Sequence, residues 1–448
     1  MSDLGIGESV RARAWRGTLL VFVQFGGAQV LRLASNLLLT RLLFPEAFGL
    51  MALVQVFLNG LNLFSDTGVR PLIVQSGRGD DPDFLNTIWT VQVARGLLLW
   101  LLTLAIAGPA AALYEAPDIA LILPVSGLAL LVNGFVPTAL HTAHRHLRLG
   151  QVTAIQLGCQ ALTLVIMAVL AVTLRSVWAL VIGTLIGEVI RTLAWWIFLP
   201  DAKNRFRLER AALGNAFGFG RYIFIGTAAG FVIAQGDRAI LGAHLSLGEL
   251  GVYNVAFFLA SVPLLLTRAV SSKIVLPLYR VRPMSGDPSG RAAIFRARRM
   301  LTAAALLAAA VMAFGGPLIV DLLYDPRFAD AGPTLSLYAL TLVPPLALNS
   351  VGSLLLAEGD SARNAVLQIV TAVLQTGLMF AGIDLAGVVG AIAAIGLAVL
   401  LTLPMRVAYA RRYNAWDPVQ DVWMTLAGLA ICAAGVAINW DRIAPLLP

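Results

Sequence analysis

Within an apolar stretch running from Asn36 to Gln75, five polar residues recur: Gln55, Asn59, Asn62, Asp66 and Arg70. Spaced four, three, four and four residues apart, they fall within an arc of roughly 80° at helical periodicity, on one face of a segment otherwise made for lipid. Upstream, Gln29, Arg32, Asn36 and Thr40 share a face in the same way. Side chains of these types hold ligands rather than break bonds. Amides both donate and accept hydrogen bonds, and guanidinium forks onto paired anionic oxygens at every physiological pH. A polar stripe inside a membrane helix needs protein or water opposite it, so both stripes read as linings of a cavity.

Charges inside apolar runs are the most informative, since each costs about 2.5–3.5 kcal/mol at a helix centre on insertion scales. Arg32 and Arg95 are the candidate anion-binding groups; the alternative is an internal salt bridge to Asp66 or Glu188 that only joins helices. Proton coupling needs a carboxylate that burial keeps protonatable near neutrality, and Asp66, Glu188 and Asp237 are the candidates. Against that, Asp66 and Arg70 are four residues apart and Glu188 and Arg191 three, spacings that suit intrahelical ion pairs. Two further stripes, one of Thr153, Gln156, Gln160 and Thr163, the other of Asn364, Gln368, Thr371 and Gln375, add Gln156 and Gln368 to the cavity candidates. His141, His144 and His146 have no carboxylate or thiolate near them in sequence and sit beside Arg145 and Arg148. They read as facing lipid headgroups, and no metal or other cofactor is expected. Gly218, Gly220 and Gly226 lack the Gly-Lys-Ser/Thr ending of a phosphate loop and read as helix-packing positions.

The elements that must position these groups are transmembrane helices. The 448 residues are 59% hydrophobic and 12% charged, with a mean hydropathy of +0.83, outside the range of soluble globular chains. The apolar runs approach the ~20 residues a helix needs to cross a bilayer. They lack the alternation of barrel strands, so the fold class is an all-α polytopic membrane protein. Thirteen spans are expected, near 17–40, 47–69, 87–108, 119–140, 152–173, 177–199, 217–241, 250–270, 299–320, 334–356, 364–383, 386–408 and 419–438.

The formal charge of +8 collects in alternate loops, with a bias of roughly four to one that places the N-terminus in the cytoplasm and speaks against nucleic acid as a partner. Only Arg41, Arg175, Arg238, Arg327 and Arg442 fall on the outer side. Cys159 and Cys432 lie in apolar runs and read as small buried hydrophobes. No cleavage site follows Arg16, and no loop is long enough for a separate catalytic domain.

The chain also repeats itself. A shift of 202 residues sets SNLLLTRLLFPEAFGL over DRAILGAHLSLGELGV, and a shift of 212 sets Gln156 over Gln368. A displacement of six spans preserves membrane orientation. The expected architecture is two parallel-repeat six-helix bundles, 1–200 and 201–409, around a central cavity, with 410–448 as an extra span and external tail.

Six motifs then occur in order along most of the chain: LTRLLFPEAFGLMALV, FSDTGVRPLIVQ, TIWTVQVARGLLLW, SVWALV, GDRAILGAHLSLGELGVYNVA and KIVLPLY. Together they resemble the polysaccharide-repeat flippases, the Wzx type and its capsule and exopolysaccharide relatives, of the multidrug/oligosaccharidyl-lipid/polysaccharide exporter superfamily. The resemblance implies a transporter rather than an enzyme. It would move undecaprenyl-diphosphate-linked oligosaccharide across the bacterial inner membrane by alternating access, for O-antigen, capsule or exopolysaccharide assembly. Arg32 and Arg95 would then meet the diphosphate or an acidic sugar, and Gln29, Asn36, Gln55, Asn59, Asn62, Gln156 and Gln368 would line the cavity. Membrane lipid, a coupling proton or sodium ion and the polysaccharide polymerase machinery are the partners this implies. The alternative with the same architecture is a multidrug or organic-cation antiporter, to which an interior with more arginine than carboxylate is less suited. A membrane polymerase or ligase would need acid and base groups on a large external loop, which the short turns do not supply.

Overall fold

The computed structural model describes residues 4–65, 69–146, 148–199, 203–209, 227–275, 278–279 and 288–447. Among them every regular element is helical, as expected where lipid offers the backbone no hydrogen-bond partner. The chain divides into two compact units, 1–224 and 225–448.

The first unit contains α1 (Leu4–Leu42), α2 (Pro45–Phe64), α3 (Val69–Gln75), α4 (Pro82–Leu113), α5 (Ile119–Gly134), α6 (Ala139–Arg145), α7 (Leu149–Leu174) and α8 (Trp178–Phe198). Local chemistry sets the boundaries. Pro45 and Pro82 open α2 and α4 from the first turn, where their missing N–H is no loss, and Asp81 accepts the Asp83 N–H at 3.0 Å as an N-cap. α4 packs tightly on α5 because Gly96 faces Gly134: a Cβ on Gly96 would lie 2.9 Å from the Leu130 carbonyl oxygen and 3.1 Å from the Gly134 Cα. α1 is tied to α7 by Gln24 donating to Gln156 at 2.6 Å and Gln160 donating to the Ala28 carbonyl at 3.0 Å.

α2 is shorter than the sequence expectation of a span reaching residue 69. It ends at Phe64 because Ser65 turns its hydroxyl back onto the Leu61 carbonyl at 2.6 Å, a local bond that competes with helix continuation. Arg70 therefore belongs to a separate short helix, α3. After α8, residues 203–209 run along α4 with every second amide turned toward it. The N–H groups of Arg205, Arg207 and Glu209 donate to Asn86 (2.9 Å), Thr90 (3.0 Å) and Thr87 (3.1 Å). Arg78 forks onto the Glu209 carboxylate at 2.8 and 2.9 Å and fixes the end of this segment.

The second unit holds α9 (227–241), α10 (Leu247–Val270), α11 (Pro288–Leu323), α12 (Ala331–Thr341), α13 (Val343–Leu348), α14 (Ser350–Ala357), α15 (Ser361–Leu401), α16 (Leu403–Arg412) and α17 (Thr425–Ile438). A capping box starts α10, with Ser246 accepting the Glu249 N–H and the Glu249 carboxylate accepting the Ser246 N–H at 2.9 Å. α15 breaks at Ala386 and Gly387. Gly387 has φ +55° and ψ −136°, a conformation open to glycine and hostile to side chains.

α17 and the π-turn before it (Val419–Met424) are locked in by buried charge. Arg298 on α11 meets Asp421 at 3.2 Å with both side chains 2% exposed. Arg299 grips Asp417 at 2.7 and 2.8 Å, and Gln420 donates to the Ala347 carbonyl at 2.9 Å and to Thr302 at 3.1 Å. Val419–Ile438 is long and apolar enough to cross a membrane. Eight described helices meet that test, or ten if the α5–α6 pair, bent by 57°, and Ala331–Thr341 with Val343–Ala357, bent by 40°, each make one span.

Candidate functional site

Inside the first unit, α2, α5 and α8 enclose a cavity of about 230 Å³. From α2 it receives Gln55, Asn59 and Asn62, three members of the stripe read from the sequence. α5 adds Ser126 and Asn133, and α8 adds Thr184, Glu188 and Arg191. Met51, Leu58, Val181 and Leu185 complete the wall with apolar surface. The helical periodicity that puts Gln55, Asn59 and Asn62 on one face is the reason α2 can turn amides inward and leucines outward.

Glu188 pairs with Arg191 one turn along α8, with 20% and 36% of their side-chain surfaces exposed. The pair brings two full charges to the cavity and no net charge, which lowers the cost of keeping them in an apolar helix. Ser126 is 6% exposed and its hydroxyl oxygen has no hydrogen-bond partner.

Arg95 stands behind the cavity. Its guanidinium donates to both the backbone carbonyl (2.8 Å) and the side-chain oxygen (2.7 Å) of Asn62, and to the Ser65 hydroxyl at 3.0 Å. The end of α2 leaves carbonyls without helical donors and carries partial negative charge, so a guanidinium is well matched to it. Two neighbours repeat the device. Gln92 donates to the Asn133, Gly134 and Val136 carbonyls at the end of α5, and Arg145 to the Ile73, Val74 and Ser76 carbonyls at the end of α3.

The other sequence candidates lie elsewhere. Arg32 is exposed on α1 with no ion-pair partner among the described residues, while Gln29 and Asn36 on the same helix are half-buried. α1 contributes nothing to the cavity wall. Gln156 is engaged in the α1–α7 seam. Gln368 is half-buried on α15 in the second unit. Asp66, Gly218, Gly220 and Gly226 fall outside the described residues, as does the Arg70 side chain.

Asp237 on α9 is 2% exposed. One carboxylate oxygen accepts from the hydroxyls of Tyr253 (2.8 Å) and Tyr338 (2.9 Å); the other is buried without a partner. Its neighbour Arg238 stacks 3.8 Å above the Phe257 ring and donates to Gln235 at 2.8 Å.

The histidine reading needs correction. Asp80, distant in sequence, meets the His146 ring at 2.8 Å and the Arg145 guanidinium at 3.1 Å, so the fold supplies the carboxylate that local sequence lacks. The His146 contact, with Arg145 beside it, holds Asp80 below the ordinary carboxylate range. These contacts join the α3–α4 turn to the end of α6. Among the described residues no group of three or more His, Cys, Asp or Glu is placed to hold a metal.

Ser126, Asn133 and Thr184 are legible in the sequence only in part: Thr184 shares a helical face with Glu188 and Arg191, spaced four and three residues apart, and Ser126 and Asn133 lie two turns apart on α5, a spacing too sparse to mark a stripe. The glycan-export motifs are more telling at the level of the whole chain. Residues 38–333 match the polysaccharide biosynthesis protein family. The succinoglycan biosynthesis transport protein ExoT of Rhizobium meliloti (strain 1021) is 22% identical over 68% of this chain and 61% of its own length. The teichuronic acid biosynthesis protein TuaB of Bacillus subtilis (strain 168) is 18% identical over 61% of this chain and 57% of its own. The chain thus spans about three fifths of the length of these curated relatives.

Among solved structures, the inward-closed lipid II flippase MurJ superposes with a TM-score of 0.70 at 12% identity, covering 96% of this chain and 97% of that one. An inward-facing multidrug resistance MATE family transporter of the MOP superfamily gives 0.62 at 14% identity, covering 94% and 95%. At such identities the likeness is one of fold, and the fold is that of a multi-pass membrane transporter. The family match covers well over half of the chain, and the protein belongs to the polysaccharide biosynthesis protein family.

Proposed function

We propose that the protein is a flippase that carries undecaprenyl-diphosphate-linked oligosaccharide repeat units from the cytoplasmic to the outer leaflet of the bacterial inner membrane, for surface polysaccharide assembly. The observation that carries this reading is a cavity lined with amides and hydroxyls, inside a helical membrane chain of a polysaccharide biosynthesis family. No bond needs to be made or broken. The glycan must be desolvated, held and released while its lipid tail stays in the membrane.

In this reading the N-terminus is cytoplasmic and the two units are parallel repeats of six spans, with Val419–Ile438 added, that alternate access by rocking. Arg32 takes the diphosphate, for which an exposed guanidinium with no ion-pair partner among the described residues is suited. Arg95 serves the same cargo from behind, by holding Asn62 in place. Coupling to a proton or sodium ion is assigned to Asp237, whose second oxygen is spare, in preference to Glu188, whose charge Arg191 already meets. Release of the cargo outside hands it to the polymerase machinery. A multidrug cation antiporter of the same fold is less well supported, because the cavity carboxylate is already paired.

The test is a chromosomal deletion. Lipid-linked repeat units should accumulate on the inner face and clear when the chain is restored. Normal surface glycan in the deletion strain would reject the proposal.

A further inference from the structure

We infer that the cavity between α2, α5 and α8 is a subsite for a single uncharged sugar ring of the cargo, a hexose or an N-acetylated hexosamine. The inference rests on the flippase reading above and goes beyond it by giving this cavity one chemical class of occupant. Size is the first constraint. At about 230 Å³ the space is smaller than the ~300–1,000 Å³ of sites that enclose drug-sized ligands, so it admits one ring rather than an oligosaccharide or a prenyl chain.

Charge is the second. Glu188 and Arg191 cancel one another within the wall, which leaves no unmet positive charge for a phosphate or uronate and no unmet negative charge for an amine. What remains is a surface of donors and acceptors in nearly equal supply. Asn59, Gln55 and Asn133 offer amides, and Thr184 and Ser126 offer hydroxyls. The side-chain oxygen of Asn62 is taken by Arg95, which leaves its amide N–H groups to donate. A ring hydroxyl donates and accepts in the same way, and so does an acetamido group.

The third constraint is the mixed character of the wall. The amides of Gln55, Asn59 and Asn133 and the Thr184 hydroxyl share it with Ser126, whose hydroxyl has no partner among the described residues but almost no accessible surface of its own. Opposite such polar groups, Met51 and Leu58 supply apolar contact for the C–H faces of a pyranose.

Binding of two probes to the full-length protein in lipid nanodiscs tests this: farnesyl diphosphate, and farnesyl diphosphate carrying one galactose or N-acetylglucosamine residue. The sugar should tighten binding about tenfold, the worth of two or three net hydrogen bonds. Ala129→Trp, which fills the cavity, should erase that gain while the sugar-free probe binds as before. Thr184→Val and Gln55→Met, which keep volume and leave the Glu188–Arg191 pair intact, should each cut the gain by about threefold or more; they carry the test if the tryptophan variant does not fold. Equal affinity for the two probes overturns the subsite and leaves the flippase reading standing. A gain that survives all three variants overturns it as well. Failure of the protein to bind either probe overturns the flippase reading and the subsite with it.

Discussion

Two polar regions, the cavity wall of the first unit and the Arg298–Asp421 network of the second, use similar residues differently. In the first, Gln55, Asn59, Asn133 and Thr184 border open space. In the second, Arg298 meets Asp421, Arg299 meets Asp417 and Gln420 meets Thr302 at hydrogen-bond distance, while the Arg298 Nε and the Gln420 side-chain oxygen stay without a partner among the described residues. One set borders space, and the other spends most of its polar groups on contacts within the protein. Residue type does not distinguish them, since both use amides, carboxylates and arginine. What differs is whether the groups are turned to space or to one another, and that is the property by which a binding site can be told from a structural joint in a membrane interior.

The sharpest way to break this contrast is Asp421→Ala. Leaving Arg298 buried and unpaired should cost about 3–5 kcal/mol, while Arg298→Met with Asp421→Leu should recover most of it. The readout is thermal unfolding in detergent; a shift from the single variant as small as that of a surface change would show that the network is not a structural joint. Next comes Arg95→Ala, which strips the end of α2 and the side chain of Asn62 of their donor. A loss of about 1–3 kcal/mol is expected, with surface glycan falling in parallel, and Arg95→Lys should rescue only part because an ammonium cannot fork.

Ser126→Ala should change stability by less than ~0.5 kcal/mol, because no hydrogen bond is lost. Tyr338→Phe, at the buried Asp237, should cost about 1.5–3 kcal/mol by the same measurement, as a bond to a carboxylate is removed. Equal effects from these two would erase the distinction between unpartnered and hydrogen-bonded groups.

The smallest effect concerns pH. Asp360 sits at the start of α15, held by the Tyr413 hydroxyl and then by Arg363, which bring its pKa down to about 2 from 3.8. Between those values the unfolded chain binds more protons than the folded one, so stability rises with pH there. This contribution is fully present above about 4 and is lost as pH falls toward 2. Asp360→Asn should flatten that acid limb in a melting-temperature profile and leave the curve near pH 7 parallel to wild type.

How far sequence reading reaches depends on how local the signal is. The Gln55–Asn59–Asn62 face is legible because helical periodicity stamps it on consecutive turns, and the membrane-spanning class follows from apolar run length alone. The tasks of Gln92 and Arg95 are not legible. Both lie on α4, but the carbonyls they satisfy belong to α5 and α2, and no spacing rule links a donor to the end of another helix. The stop at Phe64 is hidden for a related reason: Ser65 looks like one more member of a polar stripe until its hydroxyl is seen folded back on Leu61. His146 shows the same limit, since its carboxylate partner arrives from a turn formed far upstream.

Residues 203–209 give the first unit a finished hem. Their alternate amides are satisfied by Asn86, Thr87 and Thr90, and Arg78 fastens the last of them through Glu209. A cut placed just beyond Glu209 would therefore sever no bond of this seam, which makes it the natural seam line for producing the protein as two co-expressed fragments or for inserting a reporter into the chain.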